Sequence, residues 1–398
     1  MHIPEYVRTI IDRLENADES AYVVGGSLRD ALLGLDPHDY DVATSALPEK
    51  TRSLFPDMHV YDTGIKHGTV TVVCQGHPIE VTTFRIDGSY TDSRHPDAVS
   101  FTDKISEDLS RRDFTVNAMA YSYVRGFVDI FGGQADLDAR MIRAVRDPAE
   151  RFTEDALRIL RAFRFSAQLG FDIEPLTLAA CGECKAGLAE LSAERVCSEL
   201  LRLLGSGSPS LPLSQMKALG ILPYIFGEYS PSDKLIALLP KMQTAPAARL
   251  GFLLTDCEES HAKNILNSLK CSTKQKAAAL AVRRGASFSA KDIRDAGRLK
   301  ALAGIYSPFA LRASVLLGNS PKDAELWLAE SQAPTSIADL DISGKDVMAL
   351  GAKGAEIGHI LTALLDLAIE DPSINERTSL IKLAEEIHRK THKTKLST

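Results

Sequence analysis

The chain has 398 residues, 44% of them hydrophobic and 25% charged, and a formal net charge of −7. This is the composition of an ordinary globular protein with more than one domain; its six cysteines are too sparse for a disulfide scaffold. It contains no apolar run long enough to span a bilayer and no signal peptide at its start, so we expect a cytoplasmic protein without a membrane partner.

The first 145 residues have the pattern of a mixed α/β region. AYVVGG at 21–26 reads as a short strand that ends in glycines, and SLRDALLG at 27–34 has helical spacing. DYDVAT, TVTVVC and PIEVTTFR are rich in Val, Thr and Ile, which is typical of strands. The polar segment between Arg85 and Asp108 is predicted to be a long loop with a functional role.

From Pro148 onward the apolar residues recur every three or four positions, which predicts a mainly helical region. The clearest stretches are 149–170, 190–204, 244–284 and 355–390. SGSPS at 206–210 and GEYSPSD at 227–233 are predicted breaks between groups of helices.

The most informative segment runs from the first strand to DYDVAT. Gly25, Gly26 and Ser27 stand where the strand meets the helix, and a helix N-terminus with glycines allows phosphates to approach the backbone. Asp39 and Asp41 alternate along a strand, so their carboxylates should emerge on one face. Two neighbouring carboxylates repel unless a cation lies between them, and magnesium favours a few carboxylates together with substrate phosphates. The segment therefore predicts a site for Mg2+ and a nucleoside triphosphate.

Glu80 is the third candidate acid. It lies in the apolar run IEVTTFR, where an acid needs a partner such as a shared metal ion, although an acid on the surface of an edge strand remains an alternative. Two metal ions that hold the attacking and the leaving oxygen are the general arrangement for nucleotidyl transfer.

Two further segments carry charged residues with possible roles in nucleotide binding. In RRDFTVNAMA, Arg111, Arg112 and Asp113 could contact ribose or phosphate, or could form a surface ion cluster. In ERFTEDALRILRAFRF, a continuous helix would place Asp155 beside Arg158, which is also the spacing of an ordinary salt bridge.

The functional interpretation of the Asp155 and Arg158 pair is more specific. A carboxylate that accepts from an exocyclic amino group and a guanidinium that donates to a ring nitrogen would select cytosine and adenine and reject uracil and guanine. The protein itself would then act as the template.

Basic residues are concentrated in two places. Residues 261–300 contain ten Lys or Arg against two Asp, and the last eighteen residues contain five Lys or Arg against two Glu. Such patches can hold a phosphate backbone on an acidic protein, or they can be solvated helix faces, and charge alone does not decide between these.

Taken together, these motifs resemble the bacterial class II tRNA nucleotidyltransferase and poly(A) polymerase family. The resemblance rests on VVGGSLRD, DYDVAT, EVTTFR, SRRDFTVNAMA, DIFGGQADL and RFTEDALRILRAFRF, in the family's order over about residues 20–170, and on LSAERVCSELLRLL at 191–204. It implies an α+β chain with a polymerase-β-like head of mixed sheet and helices, followed by an all-helical neck, body and tail. The expected divisions are 1–145 for the catalytic head, 146–210 for the neck, 211–300 for the body and 301–398 for a tRNA-binding tail.

The resemblance also implies roles for individual residues. Asp39 and Asp41 would be metal ligands and, with Glu80, the catalytic acids. The predicted nucleotide-binding residues are Gly25, Gly26, Ser27 and Arg29 near the triphosphate, Arg112 and Asp113 near the ribose, Asp155 and Arg158 at the base with Glu154 and Arg161 in support, and Asn117 and Arg164 from the same motifs.

The expected activity is addition of CCA to the 3′ end of tRNA from CTP and ATP. DGSYTDSRHPDAVSF at 87–101 resembles the full flexible loop that CC-adding members shorten, and DIFGGQADL at 129–137 resembles the hinge between head and neck. An A-adding enzyme, a poly(A) polymerase and an inactive tRNA-binding protein are the alternatives.

Overall fold

The computed structural model describes residues 3–37, 39–87 and 99–395. The chain divides into two compact units, Met1–Ile225 and Phe226–Thr398. Within the described residues, no helix combines the length and apolar character that crossing a membrane requires.

The first unit is built around a mixed sheet of seven strands in the order β3-β4-β5-β2-β1-β8-β9. The strands are β1 Ala21–Val24, β2 Asp41–Thr44, β3 His59–Gly64, β4 Thr69–Cys74, β5 His77–Thr83, β6 Arg85–Asp87, β7 Val99–Phe101, β8 Ala120–Ser122, β9 Gly126–Val128, β10 Met141–Ile142 and β11 Asp172–Ile173. The last of these pairs with β10 in a small parallel sheet, and β6 pairs with β7.

The register of the central strands brings two predicted catalytic acids together. Strand β1 runs antiparallel to β2, and β2 runs parallel to β5. In the parallel pair, Asp41 lies directly opposite Glu80. Residues opposite each other in a sheet project to the same face, so the pairing aligns two carboxylates.

Helices surround this sheet and follow it in the chain. Those of the first unit are α1 Glu5–Glu15, α2 Gly25–Leu32, α3 Pro48–Leu54, α4 Ile105–Ser110, α5 Gly133–Asp138, α6 Pro148–Glu154, α7 Leu157–Leu169, α8 Pro175–Glu183, α9 Ala193–Leu204 and α10 Ser210–Ala218. Helix α1 shows why they form, because Val7, Ile10, Ile11 and Leu14 recur at helical spacing and are fully buried.

The remaining described chain is helical, as the spacing of apolar residues predicted. Its helices are α11 Pro223–Phe226, α12 Asp233–Leu238, α13 Pro246–Leu253, α14 Glu259–Ser268, α15 Thr273–Ala286, α16 Ile293–Ala303, α17 Ser307–Leu317, α18 Ala324–Glu330, α19 Gly344–Ala349, α20 Ala355–Glu370 and α21 Arg377–Lys395. One apolar cluster of the second unit includes Leu299 and Leu311, and another includes Leu364 and Leu380.

Three local predictions are wrong. Asp39 does not alternate with Asp41 along a strand, because β2 begins at Asp41 and Asp39 lies in a bend before it. The segment from Arg85 to Asp108 is not wholly a loop, because β6 and β7 pair with each other and α4 follows; most of the predicted flexible loop, 88–98, lies outside the described residues. The predicted helix over 149–170 is interrupted, since α6 ends at Glu154 and Asp155 has an extended backbone. The division into head, neck, body and tail stays a prediction.

A substitution at Gly133, which lies in the predicted hinge, tests the packing of the first unit. A Cβ atom there would lie 2.3 Å from the backbone oxygen of Thr115 and 2.7 Å from Cγ of Met119. We therefore expect Gly133→Ala to lower the free energy of unfolding by about 1–3 kcal/mol, measured by denaturant unfolding. Gly207→Ala is the matched control, because a Cβ atom at Gly207 meets nothing within 4 Å. Equal stability of the two variants would contradict this packing.

Candidate active site

A cleft of about 580 Å³ in the first unit gathers most of the predicted nucleotide-binding residues. Eight arginines but only three aspartates line it, so it is strongly positive in a chain that is negative overall. The lining residues are Gly25, Gly26, Arg29, Asp41, Arg111, Arg112, Asp113, Asn117, Asp155, Leu157, Arg158, Arg161, Arg164, Phe165, Arg195 and Arg202. Four predicted site residues, Ser27, Asp39, Glu80 and Glu154, are not part of this lining.

The turn from β1 into α2 lines the cleft. Gly25 has a φ of +71°, a conformation that glycine adopts without strain. A Cβ atom there would lie 3.2 Å from Nη1 of Arg112 and 3.6 Å from Oδ2 of Asp41, so glycine permits this close approach. Ser27 is buried, and its hydroxyl donates to the backbone oxygen of Val24 over 3.0 Å, which assigns it a local structural contact.

The acids of the predicted metal site lie beside this turn. Asp41 lines the cleft and is exposed there. Partial desolvation by the surrounding protein and the charge of Glu80 raise the pKa of Asp41 to about 6; Asp39 adds to the shift and Arg112 opposes it.

These carboxylates are of the kind that a divalent cation binds. In the described part of the chain, no three or more His, Cys, Asp or Glu side chains are arranged to hold a metal ion by themselves. The donor set fits magnesium nonetheless, because magnesium usually takes one or two carboxylates and completes its shell with water and substrate phosphates.

The raised pKa of Asp41 predicts pH-dependent metal binding. Asp41 must lose its proton to accept a cation, so Mn²⁺ affinity, measured by electron paramagnetic resonance, should rise as pH rises through about 6. Glu80→Gln removes the largest like charge and should move the midpoint to lower pH, whereas Glu49→Gln, at an exposed acid on α3, should not. A midpoint unchanged by Glu80→Gln would contradict this account of the acids.

Asp108 holds two arginines at the edge of the cleft. Its carboxylate is fully buried, and it accepts from Nη2 of Arg111 over 2.7 Å and from Nη2 of Arg112 over 3.1 Å. Burial opposes its ionisation, but the two guanidinium groups outweigh this and hold the pKa of Asp108 below its usual range. Arg112 thereby lies close to Gly25. A side chain that binds a phosphate at the N-terminus of α2 would need this position.

Asp113 forms an ion pair with Arg161 of α7. Its Oδ2 accepts from Nε of Arg161 over 2.8 Å, and its Oδ1 accepts from Nδ2 of Asn117 over 3.1 Å. Although Asp113 is buried, Arg161 and these hydrogen bonds lower its pKa to about 2. Asn117 in turn accepts from Nη1 of Arg29 over 2.8 Å, so four predicted residues form one network.

Asp155 and Arg158 both line the cleft, but their side chains do not pair as the helical spacing predicted. Nη2 of Arg195 donates to Asp155 over 2.8 Å, and Asp155 also accepts from the backbone N–H of Leu157. Arg158 donates to Glu154 over 2.6 Å. The reason is the extended backbone at Asp155, which removes the i,i+3 neighbourhood that a continuous helix would give.

Arg158 is held firmly in place. Its Nη1 also donates to the backbone oxygen of Arg151 over 3.1 Å, and its Nη2 donates to that of Arg111 over 3.0 Å. Among the described contacts these use both Nη1 hydrogens and one Nη2 hydrogen. The Nε hydrogen and the other Nη2 hydrogen can therefore serve a ligand.

Helix α9 supplies residues that were not among the predicted site residues. Arg195 and Arg202 line the cleft, and Glu199 forms a buried ion pair with Arg164 at 3.2 Å. Burial and the charge of Arg161 lower the pKa of Arg164 to about 10. Arg195 and Arg202 are two helical turns apart, and this spacing within LSAERVCSELLRLL was the signal that could have found them.

Comparison with known families agrees with the fold and with the cleft. Residues 21–143 match the poly A polymerase head domain, and residues 170–232 match the probable RNA and SrmB- binding site of polymerase A.

Two relatives and one solved structure that each cover almost the whole chain are CCA-adding enzymes. The chain is 35% identical to the CCA-adding enzyme of Levilactobacillus brevis, over 96% of this chain and 98% of that protein, and 36% identical to that of Leuconostoc citreum, over 95% of each. The Bacillus stearothermophilus CCA-adding enzyme in complex with CTP has a TM-score of 0.82 at 29% identity and covers 99% of this chain and 100% of its own. The chain therefore belongs to the CCA-adding enzyme family and is a tRNA nucleotidyltransferase.

Proposed function

We propose that the protein adds C, C and A in turn to the 3′ end of tRNA, using CTP and ATP and releasing pyrophosphate. The observation that carries the proposal is one positive cleft that has Gly25, Asp41, Asp155 and Arg158 among its lining residues. A nucleoside triphosphate needs both features, a cationic site for its phosphates and donors and acceptors for its base. The structurally similar Bacillus stearothermophilus enzyme was solved with CTP, and a Thermotoga maritima CCA-adding enzyme was solved with tRNA-CCA.

The first turn of α2 and the neighbouring arginines would bind the triphosphate. Gly25 and Gly26 allow phosphate oxygens near the backbone N–H groups of the helix N-terminus. Arg112, oriented by Asp108, and Arg29, oriented by Asn117, would neutralise phosphate charge that increases as pyrophosphate leaves.

Asp39 and Asp41 would hold Mg2+, with Glu80 beside them. When bound there, magnesium supplies charge neutralisation for the phosphates and a lower pKa for the attacking 3′-hydroxyl. The contribution of the protein is to place Glu80 opposite Asp41 at the start of β2, with Asp39 in the bend that leads into this strand.

Asp155 and Arg158 would select the base. The carboxylate of Asp155 can accept the exocyclic amino group of cytosine or adenine, and the guanidinium of Arg158 can donate to the adjacent ring nitrogen. Arg195 and Glu154 fix the two side chains through ion pairs at 2.8 Å and 2.6 Å. Asp113 and Arg161, which bind each other, would face the ribose between base and phosphates.

The RNA would contact the helical part of the chain, with 301–398 as the proposed tRNA-binding segment, and a tRNA substrate agrees with a cytoplasmic location. Acidic partners already engage part of the basic stretch 261–300, since Arg284 pairs with Glu259 and Arg298 pairs with Asp295. Lys263, Arg283 and Arg294 also have acidic partners. Lys274, Lys276 and Lys291 are therefore the better candidates for phosphate contacts.

A panel of RNA acceptors tests the proposal. With Mg2+, CTP and ATP, tRNA without its CCA end should gain three nucleotides, and tRNA ending in CC should gain one. Growth of tRNA ending in CC alone would indicate an A-adding enzyme, and long A tracts on unstructured RNA would indicate a poly(A) polymerase. No growth on any acceptor, with retained tRNA binding, would favour an inactive tRNA-binding protein.

A further inference from the structure

One aromatic ring in the cleft contacts three arginines that come from two separate helices. Phe165 of α7 has Cζ of Arg164 at 4.1 Å from its ring centroid, that of Arg29 at 5.2 Å and that of Arg161 at 5.3 Å. Phe165 is 7% exposed, and it lines the cleft together with these three arginines.

Each of the three guanidinium groups also has an acidic partner that directs it elsewhere. Arg29 pairs with Asp30 at 2.7 Å, Arg161 pairs with Asp113, and Arg164 pairs with Glu199 at 3.2 Å. Each acid neutralises the charge of its own arginine. Because the three acids lie on different elements, they do not hold the three guanidinium groups together, and these neighbouring cations still repel one another. The negative face of an aromatic ring attracts cations, and this attraction is larger when water is excluded.

The ring itself has a fixed orientation. Phe114 packs edge-on against Phe165, with centroids 5.8 Å apart and an interplanar angle of 80°. Phe114 is fully buried and forms a bridge to Ala144, so the contact ties the ring to the strand side of the first unit.

From this geometry we infer that Phe165 is a positioning residue that sets the spacing of Arg29, Arg161 and Arg164. It thereby links binding of the triphosphate to the position of the base. The inference rests on the proposed function. Arg29 is a proposed phosphate ligand, while Arg161 holds Asp113, which would face the ribose. Without the ring, repulsion would spread the three guanidinium groups, and a nucleotide could no longer contact both ends of the cleft at once.

The sharpest test replaces Phe165 with 3,4,5-trifluorophenylalanine in the full-length protein. Fluorination weakens the negative face of the ring while it largely keeps the ring's shape. We expect the KM for CTP and the dissociation constant for CTP to rise roughly tenfold, with a much smaller change in kcat. The same replacement at Phe114 is the matched control, since it alters the other ring of the edge-on pair but touches none of the three arginine contacts.

Ordinary substitutions give a second measurement. Phe165→Leu should raise the KM for CTP and increase UTP incorporation relative to CTP. Phe165→Tyr, which keeps an aromatic face, should leave both quantities near those of the unaltered protein. A merely structural role would lower thermal stability in Phe165→Leu and Phe114→Leu alike and leave the KM of both unchanged. The inference is overturned if trifluorination at 165 leaves CTP binding unchanged, or if trifluorination at 114 weakens it equally. Failure of the proposed function would differ, because the unaltered protein would then incorporate nothing.

Discussion

Asp41→Ala is expected to abolish nucleotide incorporation and to leave tRNA binding nearly unchanged. Asp41 is the acid that projects into the cleft beside Gly25 and opposite Glu80, so its loss removes the carboxylate best placed to hold a cation against the phosphates. Because the metal neutralises charge at both the attacking and the leaving oxygen, the rate should fall by roughly 10³-fold or more. Single-turnover incorporation of labelled CTP measures the rate, and a filter-binding titration measures tRNA affinity.

The control for this experiment is Asp138→Ala. Asp138 is an exposed acid of α5 in the same unit, so the variant makes the same change in net charge without touching the cleft. Asp39→Ala should behave like Asp41→Ala, because both carboxylates are proposed metal ligands. Incorporation within tenfold of the unaltered protein in the Asp41 variant would reject Asp41 as a ligand.

Changes at Asp155 and Arg158 should alter which nucleotide is chosen more than how fast it is added. A bidentate contact to a base edge discriminates by about 1–3 kcal/mol, so Asp155→Ala or Arg158→Ala should reduce the preference for CTP over UTP by roughly 10- to 100-fold. Asp155→Asn is more informative, since its amide can donate to the uracil carbonyl and should favour UTP. Competition between labelled CTP and UTP measures the ratio.

Arg195→Ala distinguishes the direct contact of Asp155 with the base from the positioning of Asp155 by Arg195. It removes the ion pair at 2.8 Å that fixes Asp155 but leaves the carboxylate in place. We expect a weaker loss of selectivity than in Asp155→Ala. Unchanged selectivity in folded Asp155→Ala, Asp155→Asn and Arg158→Ala proteins would refute the view that the protein acts as the template.

The parts of the site that follow from local chain geometry could be predicted from the sequence. Predicting a strand that meets a helix at Gly25 and Gly26 requires only the residues next to them in the chain. The same holds for predicting that Asp39 and Asp41 alternate. The structure confirms strand β1 and helix α2 in these places and puts Gly25, Gly26 and Asp41 in one cleft. The alternation is not confirmed, because β2 begins at Asp41 and Asp39 lies in a bend before the strand. The roles of these residues in metal and nucleotide binding stay predictions.

Contacts between distant segments could not be predicted in the same way. The pairing of Asp113 with Arg161 joins residues on either side of the sheet-to-helix transition, and Arg195 reaches Asp155 from another helix. Spacing rules apply within one continuous helix. They predicted Arg158 as the partner of Asp155, but the backbone at Asp155 is extended and its side chain pairs with Arg195 instead. The hydroxyl of Ser27, by contrast, makes a local contact, because it donates to the backbone oxygen of Val24 three residues earlier.

The order of addition tests the central claim most directly. Purified protein is incubated with Mg2+ and tRNA lacking its CCA end, and the products are sized at single-nucleotide resolution with CTP alone, ATP alone and both. We predict two additions with CTP alone, a third only when ATP is also present, and no further growth. A product that grows with UTP or GTP as readily, or that extends without a limit in ATP, would contradict selection of C and A by the cleft.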